Sequence, residues 1–270
     1  MRKLVIVLAV VAPLAAFGQY IGNPAGKAIP LGAPDERHHR TCGFAGLDIG
    51  YGSFDVDGDY DVVTDGFPGA LHSTSDFRET YAAAYVGGNL FGFELEGRLG
   101  GTWIDIEDDA LTSDPLDDSG GVLIGMGARY GVSPCELLRL GVGGQLQYSY
   151  SEGDTLVSDG YGLWREDVSL DLLRGQIFTG LSLDLEASRD FVCSPYAGAG
   201  LEFIAGDLTI DDYDDWDWDE EEIGEIEEEH PGFLFGGVDL HLAQRIRVGV
   251  EGRTDCRGGW LAQASIGFRF

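Results

Sequence analysis

Apolar and polar residues alternate with a period of two along most of this 270-residue chain. From Phe93 the apolar positions are Leu95, Leu99 and Trp103, separated by Glu94, Glu96, Arg98 and Thr102. Leu140, Val142, Leu146, Tyr148 and Tyr150 oppose Arg139, Gln145, Gln147 and Ser149. Leu173, Ile177, Leu181, Leu183 and Leu185 oppose Arg174, Gln176, Ser182, Asp184 and Glu186. Near the end, Ile246, Val248 and Val250 alternate with Arg245, Arg247, Glu251 and Arg253. Successive side chains of a strand point to opposite faces, so this period dictates strands with one apolar and one polar face. Ten such strands are expected, roughly at 43–57, 77–87, 90–107, 120–132, 137–152, 167–187, 191–208, 231–243, 245–255 and 259–270. Eight and twelve are the neighbouring counts. Short links near Gly88-Asn89, Ser133-Pro134, Ser188-Arg189 and Gln244 alternate with long ones at about 58–76, 108–119, 153–166 and 209–230. A short link at Arg257-Gly258 breaks the pattern.

The first eighteen residues read differently. Met1-Arg2-Lys3 is basic, Leu4 to Leu14 carries no charge, and Ala16-Phe17-Gly18 offers small residues ahead of Gln19. This is the layout of a Sec-type signal peptide, with an apolar run too short to span a bilayer. The expected division is a signal peptide at 1–18, an irregular periplasmic segment at 19–41 and a barrel at 42–270. Net charge is −30. Such a chain repels the phosphates that supply most nucleic-acid affinity, so nucleic acid is excluded as a partner. Thirty aromatics exclude disorder throughout. None of the four cysteines (Cys42, Cys135, Cys193, Cys256) forms a CxxC pair. In an oxidising compartment they allow three disulfide pairings, with nothing in their spacing to choose among them.

Two architectures accept such strands. A soluble sandwich or lipocalin-like barrel turns the apolar faces inward; a membrane barrel turns them toward lipid around a polar lumen. The polar faces are charged and rich in glycine (Gly141, Gly143, Gly198, Gly200), which in a narrow lumen leaves room for long Arg and Glu chains opposite. Trp103, Tyr148, Tyr150, Phe203 and Trp260 sit near the loop ends of the apolar faces, as a girdle at a lipid–water boundary would. The expected fold class is therefore all-β: a closed, up-and-down, antiparallel transmembrane β-barrel.

The last eleven residues, Trp260-Leu-Ala-Gln-Ala-Ser-Ile-Gly-Phe-Arg-Phe270, alternate to a terminal Phe. This segment resembles the C-terminal strand of Gram-negative outer-membrane β-barrel proteins. The resemblance implies an outer-membrane location, outer-membrane lipid as surroundings, and Ile266, Phe268 and Phe270 as a signal for the barrel assembly machinery. Gly22-Asn23-Pro24-Ala25 is similar to the mature start of chlamydial-type major outer membrane proteins.

Inside such a barrel, Glu94, Glu96, Arg98, Arg139, Arg174, Glu202, Asp239, His241, Arg247, Glu251 and Arg269 form the expected lumen charge network, plugging the tube by pairing. Some ten-stranded barrels are omptin-type proteases with an Asp-x-His on one strand. Asp239-Leu-His241 has that spacing, but it falls at the periplasmic end of its strand, so His241 reads as a buried, hydrogen-bonded lumen residue. Lipid A deacylase barrels need a His-Ser-Glu constellation; Ala243 breaks that spacing. There is no GxSxG, HExxH or P-loop. Asp211 to Glu229 holds 13 acids in 19 residues, which reads as a solvated outer loop. Weak cation binding is the alternative there (Asp211, Asp212, Asp214, Asp215, Asp217, Asp219, Glu220). The same alternative applies to Asp55, Asp57, Asp59 and Asp61, where the EF-hand pattern fails at Tyr60 and Gly66. The expected function is structural or surface-interacting, with acidic external loops, no catalysis and no cofactor. A small ion channel and a barrel hydrolase are the alternatives.

Overall fold

A computed structural model describes residues 22–23, 43–64, 67–90, 93–107, 117–135, 137–158, 163–188, 190–211, 220–227, 232–243, 245–255 and 258–270. Every regular element among them is a strand. In chain order these are β1 (Gly43–Thr64), β2 (Phe67–Leu90), β3 (Phe93–Glu107), β4 (Asp117–Val132), β5 (Leu138–Ser158), β6 (Leu163–Leu183), β7 (Leu185–Ser188), β8 (Phe191–Asp211), β9 (Glu220–Glu227), β10 (Gly232–Leu242), β11 (Ile246–Asp255) and β12 (Trp260–Arg269).

Ten of these are staves of one closed antiparallel barrel, in the order β1-β2-β3-β4-β5-β6-β8-β10-β11-β12 and back to β1. Closure removes the unpaired edges that an open sheet would present. The seam between β12 and β1 runs from Phe44 opposite Arg269 to Ser53 opposite Trp260. Two further bonds extend it to the chain end: Gly43 N–H donates to the Phe270 carbonyl (3.2 Å), and Phe270 N–H donates to the Gly43 carbonyl (3.0 Å).

The staves differ in length. β10, β11 and β12 have 11, 10 and 10 residues, whereas β1, β2, β5, β6 and β8 have 21 to 24. Much of what the sequence pattern assigns to the long links is therefore continued strand. The 58–76 link is a hairpin whose ladder reaches Thr64 opposite Phe67. Thr and Val residues there favour pleated backbone, and each paired residue satisfies polar groups that a loop would leave to water. The acidic stretch 209–230 also departs from a loop, because part of it is β9. This strand pairs with β8 on one side and with Asp57–Tyr60 of β1 on the other, closing the wall beyond the short staves. The stave expected at 167–187 breaks at Asp184. Its backbone N–H still donates to the Leu137 carbonyl (2.9 Å), the next step of the β5–β6 register, and beyond it β7 continues along β8.

Parity decides which way each side chain points. On β3, Glu94, Glu96, Arg98, Thr102 and Ile104 are buried, while Phe93, Leu95, Leu99 and Trp103 are exposed. The same split holds around the barrel: Leu140, Val142 and Leu181 face outward, Arg139 and Ser182 inward.

Candidate functional site

The outer surface carries a continuous apolar belt. Leu47, Ile49, Val86, Leu99, Ile124, Met126, Val142, Ile177 and Val250 are all more than half exposed. Aromatic rings border it at both ends. Tyr51 packs edge-on against Trp260 (5.5 Å between centroids) at the end where the staves lengthen, beside exposed Trp103, Tyr148 and Phe203. At the short-turn end, Phe93 packs on Tyr130 (5.1 Å), with Phe268 and Phe270 also exposed. From Phe93 to Trp103 is ten residues, about 34 Å along a strand. Tilted by about 45°, that spans about 24 Å, the height of the apolar band of a membrane barrel. A belt this extensive around a closed sheet is a surface for acyl chains, not for water. The chain is a transmembrane β-barrel.

Beyond the belt the outer face turns polar: the Tyr148 hydroxyl donates to Asp171, and Tyr150 donates to Glu152.

The lumen is filled by side chains from all ten staves. Arg139 (β5) pairs with Asp184 (2.7 Å), which also accepts from Ser194 (2.8 Å). Arg247 (β11) pairs with Asp239 (β10) at 2.8 Å. Arg98 pairs with Glu96 (2.6 Å) and lies 3.9 Å from Asp48. Arg129 approaches Glu94 (3.6 Å) and Glu96 (3.7 Å). Arg253 pairs with Glu202, which also accepts from Gln176. Arg174 pairs with Glu79, and Glu79 accepts from the Thr102 hydroxyl (3.0 Å). Glu251 has neutral donors at hand: the Tyr196 hydroxyl (2.9 Å) and the Gln263 amide (3.0 Å). Toward the long-strand end the inward face becomes mostly apolar, with Phe77, Ile104, Leu123, Val168, Leu170, Leu172 and Ile204 all buried and the hydroxyls of Ser119, Ser149 and Ser151 among them.

Ten of the eleven residues expected in the charge network are thus buried in the lumen; Arg269 is half-exposed at the short-turn mouth. The expected network left out Asp48, Glu79, Arg129, Asp184 and Arg253, although the alternation puts Asp184 and Arg253 on polar faces; these five residues take part in six of the ion pairs. His241 differs from expectation. It is 2% exposed, yet neither ring nitrogen has a hydrogen-bond partner among the described residues. Asp239, two residues away, is engaged by Arg247 instead, so the Asp-x-His spacing builds no acid–base pair.

The lumen glycines also differ from expectation, because aromatic rings occupy their slots instead of Arg and Glu. Phe178 lies directly across from Gly143, Phe233 from Gly200, Phe235 from Gly198, Tyr81 from Gly50 and Tyr85 from Gly46. A Cβ on any of these glycines would overlap the facing ring. A ring laid over a glycine fills space that two side chains would contest. Arginines stack on the same rings: the Arg253 guanidinium lies 3.7 Å from the Phe233 centroid, and Arg129 lies 5.9 Å from Phe178. These aromatics share strand parity with the charged residues, which was the signal available for finding them: Phe233 and Phe235 with Asp239, Phe178 with Arg174.

Among the described residues no group of three or more His, Cys, Asp or Glu is arranged to hold a metal ion. Asp55, Asp57, Asp59 and Asp61 are alternate residues of β1, laddered to Asp76, Thr74, His72 and Ala70 of β2. Asp211 ends β8 and Glu220 opens β9; Asp212, Asp214, Asp215, Asp217 and Asp219 lie outside the described residues. Cys135 is free and exposed on a short turn, Cys193 is free and buried, and Cys42 and Cys256 lie outside the described residues.

No protein-family model matches the chain, no curated protein matches it, and Gly22-Asn23-Pro24-Ala25 draws no chlamydial-type family. Among solved structures it is similar to the outer membrane protease OmpT of Escherichia coli. Identity is 11%, the TM-score is 0.42, and the match covers 85% of this chain and 96% of that one. It is also similar to the translocator domain of the autotransporter NalP from Neisseria meningitidis (9% identity, TM-score 0.46, 87% and 91% covered). The outer membrane protein OprG from Pseudomonas aeruginosa gives 10% identity, a TM-score of 0.43, and 86% and 97% covered.

Proposed function

We propose that this chain is a non-catalytic outer-membrane barrel of a Gram-negative bacterium, closed to solutes, with a structural or surface-interaction role. The observation that carries the reading is the Arg174–Glu79 ion pair. It joins β6 to β2, with three staves between them one way round the barrel and five the other. A salt bridge between such staves crosses the lumen, and the apolar layer of Leu170, Leu172, Ile104 and Phe77 lies on its long-strand side. Ions crossing that layer would lose their hydration without replacement. The Asp239–Arg247 pairing and the lone His241 supply no catalytic pair, which supports the non-catalytic reading.

Orientation follows from length and charge. The short turns face the periplasm and the extended, acidic staves face outside, as in barrels of this type. Sec export and cleavage near Gly18/Gln19 precede insertion. Ile266, Phe268 and Phe270, all exposed on the last stave, are the surface read by the assembly machinery. Negative charge displayed on tall staves is a means of meeting cationic partners or of repelling anionic ones.

Planar-bilayer recording tests the closed lumen: purified protein should give no conductance steps, and regular steps in the unaltered chain would overturn the reading. Heat-modifiable gel mobility of the outer-membrane fraction tests closure and location together. Protease or esterase turnover lost in His241→Ala would overturn the non-catalytic assignment.

A further inference from the structure

Gly22 and Asn23 lie inside the lumen, hydrogen-bonded to side chains more than 100 residues away in sequence. The Gly22 N–H donates to Glu251 Oε2 (2.7 Å), the same oxygen that accepts the Tyr196 hydroxyl. The Asn23 carboxamide donates to Ser182 Oγ (2.8 Å), and its backbone carbonyl faces Arg129 Nη1 (3.4 Å). Asn23 is fully buried. Gly22 has φ +68°, a left-handed conformation open to glycine and costly for a β-branched residue.

We infer that the lumen contains a binding site for a Gly-Asn peptide segment, and that the chain fills it with its own N-terminal residues. The site has three recognition elements on three staves: a carboxylate on β11 for the backbone N–H, a hydroxyl on β6 for the carboxamide, and a guanidinium on β4 for the carbonyl. Glu251 is suited to this use. Its carboxylate accepts the Gly22 N–H together with the Tyr196 hydroxyl and the Gln263 amide, so the backbone amide is held by charge-assisted bonding. The segment thereby ties together staves from different parts of the barrel wall. It acts as an internal ligand that stabilises the state to which it binds. This inference does not depend on whether the barrel conducts.

The test is a double-substitution cycle on the full chain folded into phosphatidylcholine vesicles, reading the temperature at which the fast-migrating folded band is lost. Asn23→Ala and Ser182→Ala should each lower it by about 2–4 °C, the shift expected for one lost hydrogen bond in a chain of this size. The doubly substituted chain should lose no more than either alone, because both changes remove one bond. Gly22→Val should lower it further. Asn23→Ala and Gly22→Val chains that melt with the unaltered protein would overturn the inference, as would additive shifts in the cycle. Should Gly22→Val not fold, the Asn23–Ser182 cycle decides alone.

Discussion

Removing Arg174 should expose how dry the lumen is. Arg174 and Glu79 are each only about 3% exposed at the side chain. In Arg174→Ala the Glu79 carboxylate keeps the Thr102 hydroxyl at 3.0 Å and loses the guanidinium paired with it. An uncompensated buried charge of this kind costs about 3–5 kcal/mol. The paired change Glu79→Leu with Arg174→Met removes both charges and keeps volume, and such replacements are commonly neutral or stabilising by about 1–4 kcal/mol. The single substitution should therefore be far more damaging than the double. Urea titration in lipid vesicles, followed by loss of the folded gel band, reads both values from one midpoint series. If Arg174→Ala costs less than about 1 kcal/mol, the pair behaves as a solvated surface pair. Water then reaches the centre of the tube, and the account of a closed lumen fails.

Leu99 is 66% exposed midway along the belt, so Leu99→Arg should cost about 2–4 kcal/mol in vesicles, the midplane penalty for a lipid-facing barrel residue. A change below about 0.5 kcal/mol, as on a water-facing surface, would contradict the belt. Gly200→Leu should destabilise by at least about 1–3 kcal/mol because the Phe233 ring occupies its slot. Gly97→Ala, where an added Cβ meets nothing within 4 Å, should be close to neutral in the same titration. A maleimide applied to the folded barrel should label Cys135 and spare Cys193 until the protein is unfolded, as mass mapping of the labelled peptides would report; equal labelling would place Cys193 outside the fold described.

The alternation was enough to locate the ten staves and the face that most residues within them present, because a period of two is a property of one strand alone; it failed at stave ends, where Glu186 and Arg245 are exposed. It could not separate a strand that continues beyond the membrane from a loop. At 58–76 and in β9 the alternation no longer contrasts lipid with lumen, and the sequence there reads as acid and glycine. The lumen shows the same boundary. Parity places Arg174 inside but carries no information about what stands across the tube. Its partner, Glu79, is on a stave four removed, and the pairing depends on stave number and closure. Phe178, Phe233 and Phe235 were readable as lumen residues once parity outranked hydrophobicity. They sit on the polar face of their staves, and glycines stand directly opposite. An aromatic on a charged face is a misfit only if the lumen is treated as uniformly polar. A narrow barrel needs volume as much as it needs paired charge, and a ring over a glycine supplies volume without adding a polar group to satisfy. Gly22 and Asn23 had no periodicity to announce them. Their place depends on recognition by Glu251, Ser182 and Arg129, three residues that share a neighbourhood only after the sheet has closed on itself.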